Sequence, residues 1–360
     1  AGYDATSQAS NPDGSQDPDD GQGHGTHVAG IALGTGDSSR VHIGAAPGAF
    51  LVDIKVLTDS GGTNSQNSIN GIQWMINNKD TDWGNGAKGI QIGQMSFGSI
   101  GNPINQDNGD NGTGAESRLV NNATYDHDIA CIVAAGNDGK QRIASPGSAD
   151  GAITIGSADN SDSINRTDDF MASYSNSGPR ISDNDDDDWD ELKPDLTAYG
   201  SGIYSASAEV GTSFPGTPRP EANDGYESKD GTSMATPLVS GVVALMLQAD
   251  SSLKPMEIKD ILRNSSEQKG SASEPGVSDR WNDEWGFGLM DASCAVDTVL
   301  GRNCSPLTGG GGGGVIIDPP NESDEGITLI NPENGTWWLT GDMLNIQGEL
   351  LSGTGPWNSV

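Results

Sequence analysis

The sequence predicts an α/β fold in which helices cover both faces of a parallel sheet. Between about residues 50 and 156, short apolar runs alternate with longer amphipathic runs. Residues 242–247 are apolar at every position, which is typical of a helix buried in a core. Strands that alternate with helices pair in parallel, because each helix returns the chain to the end of the sheet where the previous strand began.

Each predicted element rests on its own pattern. Four apolar runs predict strands over residues 51–57, 89–97, 129–135 and 152–156. Apolar residues at helical spacing, or in a continuous run, predict helices over residues 65–78, 115–127, 232–248, 255–264 and 291–300. Asn64 or Ser65 is available to cap the first of these helices, and Pro255 suits the first position of the fourth.

The composition narrows the possible partners of the chain. Its 360 residues include 51 acidic and 18 basic side chains, so the formal net charge is −33. Such a chain does not suit nucleic acid or anionic lipid, because both are bound by clustered Lys and Arg. No uninterrupted apolar stretch approaches the roughly 18 residues of a membrane-spanning helix, so we expect no membrane span.

A segment rich in glycine and proline divides the chain. A length of 360 residues already suggests about two domains. Six consecutive glycines at residues 309–314, followed by two prolines, predict a flexible linker over residues 305–326. The linker separates a domain over residues 1–304 from a region over residues 327–360.

The region after the linker has a β-type pattern. Leu344, Ile346 and Leu350 alternate with polar residues and predict a half-buried strand, and Asn334 with Gly335 predicts a turn. A region shorter than about 40 residues rarely builds a sufficient core of its own. We therefore expect residues 327–360 to be the start of a β-sandwich-like accessory domain that is cut at its C-terminus.

Three short motifs contain residues that could carry chemistry. They are Gly-His-Gly-Thr-His-Val-Ala-Gly at 23–30, Val-Ala-Ala-Gly-Asn-Asp-Gly at 133–139 and Gly-Thr-Ser-Met-Ala-Thr-Pro at 231–237. Each is ambiguous alone. His24 and His27 could form a metal pair or be ordinary helix residues. Asn137 could belong to a common strand-to-loop exit, and Ser233 could be no more than a helix cap.

Taken together and in this order, the three motifs resemble the signature blocks of the subtilisin-like serine peptidases, the subtilases. The sequence between the motifs also matches this family, in the segments at 44–49, 94–98, 144–148, 175–179 and 193–195. The resemblance covers roughly residues 1–300. It implies a subtilisin-like three-layer fold with a parallel sheet, and an extracellular serine endopeptidase, monomeric, that acts on proteins or peptides and needs no cofactor for its chemistry.

The resemblance also implies a role for each motif. Ser233 matches the nucleophile, which needs a base to take its proton, and His24 matches that general base. Asn137 matches the side chain that donates a hydrogen bond to the oxyanion, a donor whose loss costs about 10²–10³ in turnover. His27, one helical turn after His24, is expected to be a packing residue, and Gly25 and Gly231 to allow close packing.

Other matching residues are expected to bind the substrate. The segment Ser96-Phe97-Gly98 matches a strand edge that pairs with the substrate backbone, as in β-strand addition. Phe97 together with Ala134, Ala135 and Gly136 is expected to line an apolar first pocket. This predicts a broad hydrophobic preference.

One expected element is missing from the sequence. In subtilases the catalytic Asp lies in an Asp-Ser/Thr-Gly turn some thirty or more residues before the His, but only 23 residues precede His24. Asp4 is not in such a turn, and Asp53 follows the His. We therefore expect the acid to lie upstream of residue 1 and the 360 residues alone to be inactive.

Two further features bear on stability. The acidic run at residues 183–191 is either a solvated surface loop or a calcium loop, since Ca²⁺ takes clustered carboxylates, but its spacing matches no defined calcium motif. A structural Ca²⁺ is thus possible, and no metal ligand is assigned. Cys131 lies in an apolar strand and is expected to be a buried thiol, whereas Cys294 and Cys304 could form a disulfide.

Two competing functions remain open at this stage. A non-catalytic adhesion or scaffold protein could retain a subtilase shell, but the intact His24, Asn137 and Ser233 argue against decay of the site. A zinc peptidase using His24 and His27 would need a His-Glu-x-x-His pattern and a nearby third ligand, and the sequence has neither.

Overall fold

A computed structural model describes most of the chain up to residue 304. The described residues are 2–6, 18, 20–36, 41–84, 86–99, 109–139, 142–208 and 225–304, together with the backbone of four short strands between residues 328 and 351. The predicted linker at 305–326 lies outside the described residues.

Six helices are present in this part of the chain. They are α1 (His24–Leu33), α2 (Ser65–Asn77), α3 (Ala115–Tyr125), α4 (Thr232–Ala249), α5 (Pro255–Ser265) and α6 (Ala292–Val299). The five helices predicted from the sequence are confirmed as α2 to α6. The Asn64 side chain accepts a hydrogen bond from the backbone N–H of Asn67 at 3.0 Å and so caps α2 as expected.

The strands before the linker region are short. They are β1 (Gly2–Asp4), β2 (Asp53–Lys55), β3 (Asp82–Gly84), β4 (Ala87–Lys88), β5 (Ile92–Met95), β6 (Ala130–Ala134), β7 (Ile153–Asp159), β8 (Phe170–Met171), β9 (Leu196–Tyr199), β10 (Ile203–Ala206) and β11 (Tyr226–Lys229). The four predicted strands are confirmed as β2, β5, β6 and β7.

The central sheet is parallel, as the sequence predicts. β5 pairs with β6, β6 with β7 and β7 with β9, all in parallel, while the short β8 pairs with the end of β7 in antiparallel. β1 and β2 form a separate parallel pair. Among the described strands, β2 pairs only with β1, and β5 pairs only with β6. β2 and β5 therefore each have one edge without a partner strand in the described part of the chain.

Two helical layers cover the central sheet. Along β6, Ala130 and Ile132 belong to one buried apolar cluster, with side chains of α4, α5 and α6. Cys131 and Val133 belong to a second cluster, with side chains of α2 and α3. Successive residues of a strand point to opposite faces, so the apolar run of β6 serves both layers and the fold is a three-layer α/β fold.

Helix α4 lies in the core of the larger of these clusters. By length and composition it is the one described helix that could span a membrane, with a mean hydropathy of 1.4 over 18 residues. Most of its side chains are buried against the sheet and the neighbouring helices. The core helix of a globular domain meets the same criteria, so α4 gives only weak evidence for a membrane span.

Four further strands are described between residues 328 and 351: β12 (Thr328–Ile330), β13 (Trp338–Thr340), β14 (Met343–Asn345) and β15 (Glu349–Leu351). β12 pairs with β13 and β14 with β15, both antiparallel. The prediction of one strand through Leu344 and Leu350 is wrong, because these two residues lie opposite each other in a hairpin. Opposite residues of a hairpin share a face, so alternation alone did not distinguish the two cases.

The cysteines behave as predicted. Cys294 in α6 is disulfide-bonded to Cys304, with 5.3 Å between their Cα atoms. Cys131 is a buried free thiol in β6, and burial raises its pKa to about 12. Its thiol therefore stays protonated and inert at neutral pH.

Removal of the disulfide by Cys304→Ser is expected to lower the free energy of unfolding by about 2–3 kcal/mol, because the reduced chain gains loop entropy when it unfolds. Thermal melts of the wild type with and without reductant, beside the variant, check this. Reductant should lower the Tm of the wild type to that of the variant and leave the variant unchanged. Alkylation of all three cysteines in urea without reductant would contradict the bond.

A cluster of buried charges surrounds Asp195 at the start of β9. Its carboxylate lies 3.0 Å from Lys193 Nζ, 3.4 Å from Lys259 Nζ and 2.6 Å from an Arg263 nitrogen, and it accepts the Thr154 backbone N–H at 2.6 Å. All four charged side chains are essentially inaccessible to solvent. Burial alone would raise the pKa of Asp195, but the three cations hold it well below its usual range.

Candidate active site

His24 is the first residue of α1, and a carboxylate holds the turn before it. Asp20 accepts the backbone N–H groups of Gly23 at 2.7 Å and Thr26 at 2.7 Å, and also the Thr26 hydroxyl. Burial alone would raise the pKa of Asp20, but these hydrogen bonds lower it. Asp20 is therefore an ionised cap of α1 and presents its oxygens to the backbone.

The His24 imidazole is half-buried. Burial lowers its pKa, the positive charge of Lys229 lowers it further, and the negative charge of Asp20 opposes both. A neutral imidazole is the form that can accept a proton. Among the described residues, no carboxylate is hydrogen-bonded to the His24 ring.

His27 has a structural environment. It is fully buried, and its Nε2 atom lies 3.0 Å from the Glu227 backbone oxygen. Burial lowers the pKa of His27 to about 4. Within the described parts of the chain, the candidate metal cluster of His, Cys, Asp and Glu contains neither His24 nor His27. His27 is a packing residue, as expected, and a zinc pair with His24 has no support.

Ser233 occupies the second position of α4, next to the segment that follows β5. Its hydroxyl donates to the Ser96 carbonyl at 3.3 Å, and the Ser96 hydroxyl donates to the Ser233 carbonyl at 2.8 Å. Met234, which follows Ser233, belongs to one buried apolar cluster with Val28 and Ile31 of α1. This packing joins the helix that carries His24 to the helix that carries Ser233.

Two N–H donors lie around one point beside Ser233. A Cβ atom placed on Gly231 would be 3.3 Å from Asn137 Nδ2 and 3.5 Å from the Ser233 backbone nitrogen. Asn137 Oδ1 accepts both the backbone N–H and the hydroxyl of Thr232, each at 2.8 Å. These bonds direct the amide NH₂ of Asn137 away from Thr232, so the amide can donate to an oxyanion.

The five predicted substrate-binding residues lie on two neighbouring segments. Residues 96–98 continue beyond β5, where Ser96 is buried, Phe97 is half-buried and Gly98 is exposed. Ala135 and Gly136 follow β6, which pairs with β5. A Cβ atom placed on Gly98 would lie 3.2 Å from Ala144 Cβ, and Ser99 pairs with Ser145, so residues 144 and 145 stand beside the first segment.

The structure adds residues that the motif analysis left without a role. Asn176 is buried against the loop that carries Asn137, and Tyr174 contacts Gly231 through its hydroxyl. The resemblance included residues 175–179 only as matching text, and Tyr174 had no signal of its own. The expectation for Gly25 is wrong, since it is exposed and a Cβ there would meet only Asp20 at 3.6 Å. The expectation for Gly231 is supported by its close approach to Asn137.

Two residues of the acidic run belong to a candidate metal cluster. Asp150, Asp183 and Asp190 lie within ligand distance of one another. However, they surround one nitrogen of the buried Arg180 guanidinium, at 3.0, 3.5 and 2.6 Å. Burial raises the pKa of Asp190 to about 6, and Arg180 opposes the rise. Arg180 offsets part of the charge of the three carboxylates, and each of them also has a buried oxygen without a hydrogen-bond partner. A structural Ca²⁺ at this cluster therefore stays a prediction.

Comparison with known proteins agrees with this geometry. The family model described as "Subtilase family" matches residues 2–288. Serine protease AprX of Bacillus subtilis is 33% identical over 290 residues, which cover 78% of this chain and 59% of that protein.

Other relatives have similar identity. Bacillopeptidase F of Bacillus subtilis is 32% identical over 292 residues, covering 79% of this chain and 18% of that protein. Subtilisin Savinase of Lederbergia lenta is 29% identical over 277 residues, covering 77% of this chain and 78% of that protein. The chain thus spans less than two thirds of the length of AprX and Bacillopeptidase F.

Proposed function

The chain belongs to the subtilase family, and from that premise we propose that it is a serine endopeptidase that cleaves proteins through an acyl-enzyme on Ser233. The observation that carries the proposal is a pair of nitrogen donors, Asn137 Nδ2 and the Ser233 backbone nitrogen, which lie 3.3 and 3.5 Å from where a Cβ atom on Gly231 would be, two residues before Ser233. Two preorganised donors at a nucleophile are what acyl transfer needs, because the oxygen of the attacked carbonyl becomes negatively charged.

In the proposed reaction, His24 takes the hydroxyl proton of Ser233 as the oxygen attacks the peptide carbonyl. The carbonyl electrons move to the oxygen, which binds between Asn137 and the Ser233 N–H. His24 then returns the proton to the leaving amine. Water attacks the acyl-enzyme by the same steps, and the product with the new carboxyl group is released. The Ser233 hydroxyl donates to the Ser96 carbonyl, and catalytic hydrogen bonds often tighten only when substrate binds.

We propose that the acid of the triad comes from sequence outside the 360 residues. Asp20 supports this, because its oxygens are occupied by the N-terminus of α1 and it cannot also orient the His24 ring. An acid is needed to fix the tautomer of the base and to stabilise the imidazolium.

The substrate backbone is proposed to run along residues 96–98 as an added strand, with Phe97, Ala135 and Gly136 beside the side chain that precedes the cleaved bond. Apolar walls of this kind support a hydrophobic preference. We also propose the division into a peptidase domain over 1–304, a linker over 305–326 and a β-type region over 327–360. The Cys294–Cys304 disulfide supports an oxidising, extracellular compartment.

The proposal is tested by labelling the full-length protein with a fluorophosphonate, which reacts with activated serine nucleophiles. Mass spectrometry should locate the label on Ser233. Ser233→Ala should abolish labelling, and Ser240→Ala, a buried serine further along α4, should not. Absence of label on a folded wild type would favour a non-catalytic protein with a subtilase fold.

The pH dependence of activity gives a second check. Lys229→Gln is expected to move the acid limb of kcat/KM to higher pH. Burial and Lys229 both lower the pKa of His24, which keeps the imidazole neutral at lower pH, so removing the cation raises that pKa. Rates across the acid limb measure the shift. Lys88→Gln, an exposed lysine of β4, serves as control, and an unmoved midpoint in Lys229→Gln would refute the role of Lys229.

A further inference from the structure

Residues 174–176, which follow β8, lie against both loops that supply the N–H donors. On one side, buried Asn176 accepts the Asp138 backbone N–H through Oδ1 at 2.8 Å. It donates from Nδ2 to the Ala135 carbonyl at 3.4 Å and from its own backbone N–H to the Gly136 carbonyl at 2.9 Å. Asn176 thus bonds to the residues on both sides of Asn137.

The contact between Asn176 and Gly136 leaves no spare room. A Cβ atom placed on Gly136 would lie 2.3 Å from Asn176 Nδ2, and the φ of Gly136 is +114°. Only glycine suits both the backbone angle and the close approach. The contact with Asn176 therefore fixes the position of the loop that carries Asn137. The position of the loop in turn determines the direction of the Asn137 amide.

On the other side, the Tyr174 hydroxyl accepts the Gly231 backbone N–H at 3.1 Å and donates to the Gly200 carbonyl at 2.9 Å. The same Gly231 N–H donates to the Gly200 carbonyl at 2.9 Å, so the hydroxyl and that carbonyl share this donor. Gly231 leads into α4 two residues before Ser233. The Tyr174 carbonyl in turn accepts the Gly139 backbone N–H at 2.7 Å, in the loop that carries Asn137. Tyr174 therefore contacts the backbone of both donor loops.

On the basis of the proposed function, we propose that Tyr174 and Asn176 are positioning residues that set the spacing of the two oxyanion donors. Asn176 holds the loop of Asn137 in position. The Tyr174 hydroxyl holds the backbone that leads to the Ser233 N–H. Neither side chain touches the reacting atoms. Both act through the donors, which must meet the oxyanion at about 2.7–3.1 Å.

Such a role predicts a loss in kcat with little change in KM. The donors bind the oxyanion more strongly than the carbonyl of the ground state, so their displacement raises the barrier without weakening substrate binding. We expect Asn176→Ala to lower kcat about tenfold to a hundredfold and to change KM by less than about twofold. Asn70→Ala, an exposed asparagine of α2, should change neither.

A double-mutant cycle separates positioning from general stability. In an Asn137→Ala background the donor that Asn176 seats is gone, so adding Asn176→Ala should cost less than about threefold more. Tyr174→Phe removes only a hydroxyl and should lower kcat about three- to tenfold. It should combine additively with Asn137→Ala, because it acts on the Ser233 donor. Tyr125→Phe, an exposed tyrosine of α3, is its control.

The experiment uses the full-length protein, one peptide substrate and one peptide aldehyde, which forms a tetrahedral adduct with a serine nucleophile. Aldehyde affinity should fall in parallel with kcat/KM in both variants, as expected for a transition-state analogue. Melting curves verify that each variant is folded.

The failures are distinguishable. If wild-type hydrolysis does not depend on Ser233, the proposed function is wrong. If it does depend on Ser233, but Asn176→Ala and Tyr174→Phe keep the wild-type kcat, the positioning proposal is overturned. A full additive loss for Asn176→Ala in the Asn137→Ala background also overturns it.

Discussion

Purified alone, the 360-residue chain is expected to hydrolyse peptides at least about 10⁴-fold more slowly than the full-length protein. With the triad acid outside the 360 residues, as we propose, nothing in the chain alone fixes the His24 tautomer or stabilises the imidazolium that forms during attack by Ser233. Asp20 cannot substitute, because its two oxygens are held by the backbone at the start of α1.

The sheet gives a reason for a larger loss. β2 and β5 each have one edge without a partner among the described strands. A segment that brings the acid as a strand between them would unite the β1–β2 pair with the central sheet.

The measurement compares kcat/KM of the 360-residue chain with that of the full-length protein on one peptide substrate. Ser233→Ala in the full-length protein gives the background rate. Robust Ser233-dependent hydrolysis by the 360-residue chain would contradict the prediction. It would mean that an acid before His24, such as Asp4, completes the triad.

Asp195→Ala is expected to lower the free energy of unfolding by at least about 3–5 kcal/mol, the range for breaking a buried ion pair. Lys193, Lys259 and Arg263 would then be buried beside one another with no counter-charge. Urea unfolding of the variant and the wild type measures the difference. If the variant does not accumulate as folded protein, Asp195→Asn, which keeps the shape, is measured in its place.

Asp80→Asn is the matched control for Asp195. Asp80 lies 3.7 Å from Lys79, but its side chain is 90% exposed, and surface pairs contribute little because water screens them. Equal losses in the two variants would refute a special role for the buried cluster.

The same cluster predicts sensitivity to acid. The pKa of Asp195 is lower in the folded state than in the unfolded state, where it is about 3.9. Its contribution is therefore complete above that value and is lost as the pH falls below it. The wild type should lose stability in this window more steeply than Asp195→Asn.

Helices with strong local signals could be predicted from the sequence. Asn64 caps α2 and Pro255 begins α5 as expected, because caps and first-turn prolines act over three or four residues. α1 had no such signal. Its N-cap is Gly23, and the carboxylate that satisfies its free N–H groups belongs to Asp20, four residues before the helix.

Strands that depend on distant partners could not be predicted. β10 and β11 are half-exposed segments about twenty residues apart that, among the described strands, pair with each other alone. Their sequences carry no continuous apolar run, so neither predicts a strand without the other. β6 was predictable because both of its faces are buried and its run Ala130–Ala134 is apolar throughout.

Residues of the proposed site could be picked out from the sequence where each lies in one short motif. His24, Asn137 and Ser233 each lie in such a motif, and the structure brings the Asn137 and Ser233 donors around one point. The contacts of Tyr174 join residues as far apart as 139 and 231. No spacing in the sequence indicates a hydroxyl that accepts a backbone N–H 57 positions away.

The Cys294–Cys304 bond also has a mechanical consequence. A force applied to the chain beyond residue 304 is transmitted to α6 through the disulfide to Cys294. Because Cys294 lies within the helix, the force acts there rather than on the last hydrogen-bonded turn. If a protease cuts the glycine-rich stretch that follows, Cys304 stays bonded to Cys294 of α6, with 5.3 Å between their Cα atoms. We therefore expect the bond to limit fraying of the chain from that end.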